Sequence, residues 1–350
     1  MKEDECGYIY PEVNQDKCVN CGICQRTCPA KNPIELKEPI TCFAARIKDK
    51  NILKKSTSGG IAAFISKEII NENGIVYGAA YINNCEVNHI RIDKHSDLSK
   101  LQGSKYVHSY IQNSYNSVKN DLEEKKYVAF FGTPCQVAGL KKFLNKEYEK
   151  LLLVDIVCHG VPSQKFLKDE VGRINSNLNV DRINFRDKNY GAFTFSIEKN
   201  GKDSYSEVWY RSPYYYTFME GITYRDNCYE CFYAKDKRCS DITICDFWGL
   251  KEDATLYDSS NEGISAILPI TQKGLNFINK NKDNLEIEER TIEEAVNGNT
   301  QLRHPVEKTK QADNLRKIYR ANPEKGFYYA YNKACIVHVI KQRIKKLISK

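Results

Sequence analysis

Long hydrophobic runs are missing from this sequence. Its longest apolar stretch, Ile61 to Ile70, is broken by Ser66, Lys67 and Glu68, whereas a bilayer-spanning helix needs roughly 20 apolar residues. No transmembrane segment is therefore expected. The start, Met1-Lys2-Glu3-Asp4-Glu5, is acidic and has no apolar signal region, so the chain is predicted to be cytoplasmic. No GxGxxG fingerprint follows a predicted strand, which excludes a dinucleotide site of that kind. Neither a paired-carboxylate nor a Ser/His/Asp arrangement outranks redox chemistry. Lysine and glutamate are interspersed, so no basic stripe marks a nucleic-acid partner and none is expected. A long low-complexity linker is also absent.

Cysteine is plentiful, at 14 residues, and several lie two residues apart. In a chain of 350 residues with no secretion signal, that usage favours metal or redox chemistry over disulfides. Hydrophobic residues make up 41%, enough for two or three small domains with cores. The net charge is +8, part of it from Lys341, Arg343, Lys345, Lys346 and Lys350. This tail reads as a solvated helix face before it reads as a binding surface.

Residues 1–45 read as cysteine-rich loop. Ser58 is the expected N-cap of a helix with an apolar face at Ile61, Phe64, Ile65 and Ile69, ended by Asn73-Gly74. Strands are expected at 75–82 and 86–92, and a polar helix near 113–125. Next come an apolar strand (127–131), the turn Gly132-Thr133-Pro134-Cys135, a helix (136–145) and a second apolar strand (151–157) ending at Cys158-His159-Gly160. This is a βαβ unit, so its strands should be parallel. Cys135 and Cys158 should then share the sheet edge where open α/β sheets bind ligands. Residues 180–210 read as strands, 211–250 as aromatic and cysteine-rich loop, and 263–350 as mostly helix after one short strand.

Cys18-x2-Cys21-x2-Cys24-x3-Cys28-Pro29 has the spacing of a bacterial [4Fe–4S] run. Cysteines two apart grip different irons from one tight loop, and Gly22 lets the backbone pass close to the sulfides. A full two-cluster ferredoxin carries two such runs, and there the fourth cysteine serves the other cluster. Only one run is present, so either a half is missing or the start lies too late. The fourth ligand stays open among Cys28, Cys6 and Cys42. Cys228-x2-Cys231 is a second chelating loop. With Cys135 and Cys158 it forms a candidate quartet for a second [4Fe–4S] cluster, against the reading of Cys135 and Cys158 as small buried hydrophobes.

Six motifs occur in order: Ser58-Gly59-Gly60; Gly103-Ser104-Lys105-Tyr106-Val107; Gly132-Thr133-Pro134-Cys135-Gln136; Val157-Cys158-His159-Gly160-Val161-Pro162; Phe185-Arg186-Asp187-Lys188; and Ser240-Asp241-Ile242-Thr243 with Asp246-Phe247-Trp248-Gly249. Together, from about residue 5 to residue 270, they resemble the coenzyme F-420 hydrogenase/dehydrogenase beta subunit family. That resemblance implies an α/β (mixed α+β) architecture: a ferredoxin-like 4Fe–4S module followed by two α/β domains that bind FAD and a cluster. Laid on this chain, the divisions are 1–45 for the module, 46–125 and 126–290 for the two domains, and 291–350 for a helical basic tail.

The resemblance also implies FAD, with contacts from Ser58, Gly59, Gly60, Gly103, Ser104, Lys105, Tyr106, Gly132 and Thr133. Glycines at a helix start suit a pyrophosphate, and Lys105 would add charge. Cys239 and Cys245 depart from the family pattern and read as extra ligands or bystanders. His159 is the candidate proton donor, because histidine titrates near neutrality, with a simple hydrogen-bonding role as the equal alternative. Trp248 reads as a flavin wall or core residue. Tyr210, Tyr214, Tyr215 and Tyr216 around Pro213 read as a substrate lid or loop packing. The expected function is an FAD- and 4Fe–4S-dependent oxidoreductase. It would take electrons from ferredoxin or another redox subunit and pass them to a small two-electron acceptor. A non-catalytic relay subunit and a zinc-stabilised binding module are the alternatives. Coenzyme F-420, a tetrapyrrole and a sugar-linked intermediate all fit as acceptor, and homo-oligomerisation is left open.

Overall fold

The computed structural model describes residues 1–82, 85–176, 178, 180–187, 190, 191, 193–257 and 262–348. Lys188, Lys350 and the Lys346 side chain, named above, lie outside the described residues. Short strands β1 (Lys2–Glu3) and β2 (Ile9–Tyr10) pair antiparallel at the start of the chain. Runs rich in β-branched, aromatic and alanine residues then form β3 (Cys42–Ile47), β4 (Ile75–Tyr81), β5 (Val87–Ile92), β6 (Val128–Gly132) and β7 (Leu151–Ile156). Three more, β8 (Arg182–Asn184), β9 (Thr194–Lys199) and β10 (Lys202–Val208), make a separate antiparallel sheet. β11 (Ile242–Asp246), β12 (Ser265–Pro269) and β13 (Leu285–Arg290) complete the set.

The main sheet has eight strands in the order β13-β3-β12-β11-β7-β6-β4-β5. Its centre is parallel: β4 with β6, β6 with β7, and β7 with β11. The expected βαβ unit is present, with Val128 opposite Leu151 and Gly132 opposite Asp155. Antiparallel strands flank this centre on both sides. The parallel strands are apolar on both faces because both are covered. Val76, Ala129, Leu152, Val154, Ile242 and Ile244 pack under the helices Ile61–Asn71 and Gln272–Asn281. On the other face, Ile75, Tyr77, Val128, Phe130, Leu151 and Leu153 meet the helices Ser114–Glu123 and Pro134–Leu144. The result is a three-layer α/β/α sandwich.

A further core lies beside it. Phe166, Leu167 and Val171 from the helix Gln164–Ile174 pack with Phe185, Phe195, Tyr214, Tyr215, Leu315, Tyr319 and Phe327. Cys6 and Tyr8 from the start of the chain are buried in it, and the Tyr8 hydroxyl donates to the Thr223 carbonyl at 2.8 Å. The C-terminal helices Lys310–Ala321 and Gly326–Ala334 close this core.

Three expectations are corrected. The N-cap of Ile61–Asn71 is Gly60, in left-handed backbone at φ 78°, while the Ser58 hydroxyl donates to the Ile264 carbonyl instead. Residues 211–250 contain the helix Pro213–Met219 and the central strand β11. The short run Ile242-Thr243-Ile244 was obscured by the cysteines around it. The region after 263 holds two strands, because the glutamates of Leu285–Arg290 sit on an edge strand whose outward side meets solvent.

Candidate functional site

The carboxyl ends of β6, β7 and β11 share one edge of the sheet, as parallel pairing demands. Cys135 follows β6, at the second residue of the helix Pro134–Leu144; Cys158 follows β7. The helix starts abruptly because Pro134 occupies its first position, and the Gln136 side chain accepts from the Thr133 backbone N–H at 3.0 Å. Cys135 is exposed at this edge and Cys158 half-buried.

The loop with Cys228 and Cys231 comes over the same edge. The Arg225 N–H donates to the Val161 carbonyl, three residues past Cys158, at 3.0 Å. Cys158, Cys228 and Cys231 each lie within electrostatic reach of Cys135. Burial pushes the Cys158 thiol well above its ordinary pKa, and Cys228, Cys135 and Cys231 push it further. Cys228 is pushed up to about 12, first by burial and then by Cys135. Cys231 also rises through burial and Cys135. Opposing this, backbone N–H groups face three of the sulfurs: Gly160 at Cys158, Val161 at Cys228, and Tyr233 and Ala234 at Cys231. Such donors favour the thiolate and are a known lever on cluster potential. Among the described residues, no three His, Cys, Asp or Glu side chains close around a single metal ion.

One arginine missed by sequence reasoning braces this loop. Arg238 is 2% exposed and donates to the carbonyls of Tyr233 (3.0 Å) and Lys235 (3.2 Å), just past Cys231. Its other end meets Asp155 at 3.0 Å and the Ile156 carbonyl at 3.3 Å, just before Cys158. Arg238 thereby ties the second cysteine loop to the end of β7. No motif announces it; a lone arginine in a loop carries no signal.

The Cys18–Cys28 loop is built differently. Asn14 caps a short turn, Gly22 takes left-handed backbone at φ 69°, and one helical turn, Ile23–Arg26, precedes Cys28. No residue from 11 to 38 is buried. Cys6 and Cys42 are both fully buried in separate cores, Cys6 beside Tyr8 and Cys42 at the start of β3. Cys28 is thus the remaining accessible thiol for the fourth position. Its neighbour Pro29 accepts a 2.9 Å hydrogen bond from the Tyr233 hydroxyl, and Lys37 and Arg238 exchange backbone hydrogen bonds of 2.8 Å each. The first cysteine loop is therefore docked on the segment that follows Cys231. Cys239 lies within electrostatic reach of Cys135, but its thiol contacts the Pro134 carbonyl at 3.5 Å. Cys245 sits in β11 beside Arg238 and Cys42.

The structure joins Ser58–Gly60 to Gly103–Tyr106 through Thr57, whose hydroxyl accepts from the Ser104 N–H at 3.1 Å. Many of these groups already have partners. The Gly59 N–H donates to the Ser265 hydroxyl, and a Cβ on Gly59 would lie 2.4 Å from the Ala45 carbonyl oxygen. Lys105 Nζ donates to the carbonyls of Lys100, Leu101 and Gln102, finishing the helix Leu98–Leu101. Gly132 packs against Phe130 and Gln136. Gly103, at φ 81°, has open space where a Cβ would point. Tyr106 is stacked on Phe218 at 4.3 Å. Tyr214 and Tyr215 are core residues rather than a lid.

His159 is solvent-exposed, yet desolvation lowers its pKa while the Asp246 charge partly restores it. Arg186 also faces it, paired with Asp246 at 2.7 Å and lying over the rings of Phe193 and Trp248. The Asp-Phe-Trp-Gly segment therefore meets the Phe185-Arg186 motif beside His159. Two surface depressions, one along Asp226, Glu230 and Lys308 and one along Ile40, Thr41 and Glu289, include none of these residues.

A cysteine-rich edge on a doubly covered α/β sheet, with a four-cysteine loop docked against it, defines an iron–sulfur redox protein. Residues 11–32 match the 4Fe-4S binding domain. Residues 125–295 match the C-terminal region of the coenzyme F420 hydrogenase/dehydrogenase beta subunit, and over that stretch the chain is similar to that family. Among solved structures, a chain of the F420-reducing [NiFe] hydrogenase complex from Methanosarcina barkeri is similar in fold, with a TM-score of 0.51 and 19% identity. The match covers 76% of this chain and 91% of that one. Comparison with curated proteins found no match.

Proposed function

We propose that the chain is an oxidoreductase that holds two [4Fe–4S] clusters and FAD. It would carry electrons from ferredoxin or a partner protein to a small two-electron acceptor. The observation that carries this reading is the convergence of Cys135, Cys158, Cys228 and Cys231 at the carboxyl edge, with backbone N–H groups facing three of the sulfurs.

Cys18, Cys21, Cys24 and Cys28 would hold the outer cluster on a surface loop, open to a protein donor. Cys135, Cys158, Cys228 and Cys231 would hold the inner one. The hydrogen bond from the Tyr233 hydroxyl to the Pro29 carbonyl would keep the two quartets adjacent. The segments 58–60 and 103–106 would bind FAD, with Gly103 offering the open backbone and Ser58–Gly60 the start of an 11-residue helix. When bound, the clusters supply one-electron and the flavin two-electron chemistry. His159, beside Asp246 and Arg186, would move a proton to or from the acceptor. The similarity to an F420-reducing complex makes a deazaflavin one candidate acceptor.

Protein purified without oxygen, with iron, acid-labile sulfide and released flavin counted per chain, tests the reading. About eight irons and one FAD are expected, at four irons per cluster. Zinc without sulfide or flavin would overturn it.

A further inference from the structure

The C-terminal helix, Ile336–Ile348, is held to the body along one side only. The His338 ring stacks on Tyr216 with centroids 3.6 Å apart, and its Nε2 lies 2.9 Å from the Tyr210 carbonyl oxygen. Cys335 just before it is buried, and Val339 packs against the same core. At 3.6 residues per turn, Ile336, Ile340, Ile344 and Leu347 fall on a different side, with Val337 beside them. All five are exposed, from 49% at Ile340 to 75% at Leu347. That is a continuous aliphatic stripe, and no described residue of this chain covers it.

The charges carried by the helix itself are of one sign, and the nearest acid, Glu220, faces its His338 side. From Ile336 to Lys350 the sequence has no aspartate or glutamate, but it has Lys341, Arg343, Lys345, Lys346 and Lys350. Lys341, Arg343 and Lys345 are exposed. A second copy laid stripe to stripe would press these cations together. With 13 residues, the helix is about 20 Å long, short of the roughly 30 Å hydrocarbon core. Such a helix can lie in a bilayer surface but cannot cross it. An aliphatic face flanked by lysine and arginine, with no acid, is the composition of an interfacial helix.

We propose that Ile336–Ile348 docks the protein on an anionic membrane surface, with the aliphatic stripe entering the headgroup–acyl boundary and the flanking cations meeting lipid phosphates. The partner is identified by charge complementarity: each cation near an anionic leaflet is worth about a fivefold change in partition. Docking would set the redox body beside the membrane. It does not depend on which cofactors the body holds.

Flotation of the full-length protein with vesicles tests this. Binding is expected to vesicles of equimolar phosphatidylcholine and phosphatidylglycerol at low salt, with weak binding to phosphatidylcholine alone and release by high salt. Ile340→Glu/Ile344→Glu should lower binding roughly tenfold or more by removing apolar contact, and Lys341→Gln/Lys345→Gln roughly 25-fold by charge alone. These side chains are exposed, so circular dichroism should stay unchanged. Failure to float with the anionic vesicles overturns the proposal, as does binding unaffected by either double variant. A dimer in light scattering that Ile340→Glu/Ile344→Glu converts to monomer, without vesicle binding, would assign the stripe to a second copy instead.

Discussion

Between residues 11 and 38 no side chain is buried, and Val13, Val19 and Ile23 are exposed by 46%, 82% and 55%. Around the second quartet, by contrast, Cys135 and Cys158 follow strands of the sheet, and Arg238 and the core residue Tyr233 brace the segment after Cys231 against the end of β7. Only Ile34 and Leu36, past the cysteines, pack partly against a core, so the first loop buries little apolar surface to offset the entropy of its ordering. Its local order comes from Asn14, Gly22 and short turns, and metal binding to such a site is itself the folding energy. In the second, Cys158, Cys228 and Cys231 are placed by the fold within electrostatic reach of Cys135, and burial first of all raises the pKa values of those three. One quartet would be organised by its cluster, the other by the fold.

Cysteine replacement should break the comparison most sharply. Cys158→Ser should remove about four irons per chain and abolish electron transfer, with the circular dichroism of the sandwich retained. Cys21→Ser should remove a similar amount of iron and also make residues 11–38 sensitive to limited proteolysis. Equal proteolysis at both loops in the two variants would erase the distinction.

Arg238 tests whether the fold organises the second quartet. Arg238→Met leaves Asp155 buried without its cation, and breaking a buried pair costs about 3–5 kcal/mol. The urea midpoint should fall accordingly, and iron should be lost from the inner quartet only. Asp155→Asn/Arg238→Met should recover part of the stability by removing the stranded charge, and not the iron.

How much of this was legible beforehand differs between the two quartets. Cys18 to Cys28 could be read from spacing alone, because its ligands come from one loop. The pairing of Cys135 with Cys158 followed from the βαβ rule, since a parallel pair leaves only one edge for both. What spacing could not show is the bracing. Arg238, Asp155 and Tyr233 act across more than 70 residues of sequence or through backbone carbonyls, which leave no periodicity. Strand β11 was hidden for a similar reason: five residues between cysteines are too few to declare a period. Lys105, expected to add charge at the flavin segment, also donates its ammonium to the carbonyls of Leu101 and Gln102, a contact that spacing could not show.

The sandwich edge itself should be acid-sensitive. His89, 5% exposed between the Ser109 hydroxyl and the Phe131 carbonyl, has its pKa lowered to about 4 by burial. Neutral in the fold, it is protonated in the unfolded chain below about 6.5. Stability is therefore complete above pH 6.5 and is lost as pH falls toward 4. From pH 7.5 to pH 5 the loss is about 2 kcal/mol, read from urea midpoints. His89→Gln should reduce that slope by the His89 share while His108, also lowered to about 4 by burial, keeps its own, and the clusters stay the same, so acid damage to iron cannot account for the difference.

Tyr233 is the smallest change and the most direct test of the link between the quartets. Its hydroxyl donates to the Pro29 carbonyl at 2.9 Å, while its ring sits in the core beneath Cys231. Tyr233→Phe keeps the ring and deletes one hydrogen bond, a loss of about 1 kcal/mol in stability. Iron content should not change. If that bond holds the outer loop against the inner quartet, proteolysis of residues 11–38 should quicken and electron passage from an external ferredoxin should slow. Dithionite, which needs no docked loop, should still reduce the inner quartet's metal at the parent rate. A variant matching the parent in all of these would mean that the Lys37–Arg238 backbone pair holds the two regions together without Tyr233.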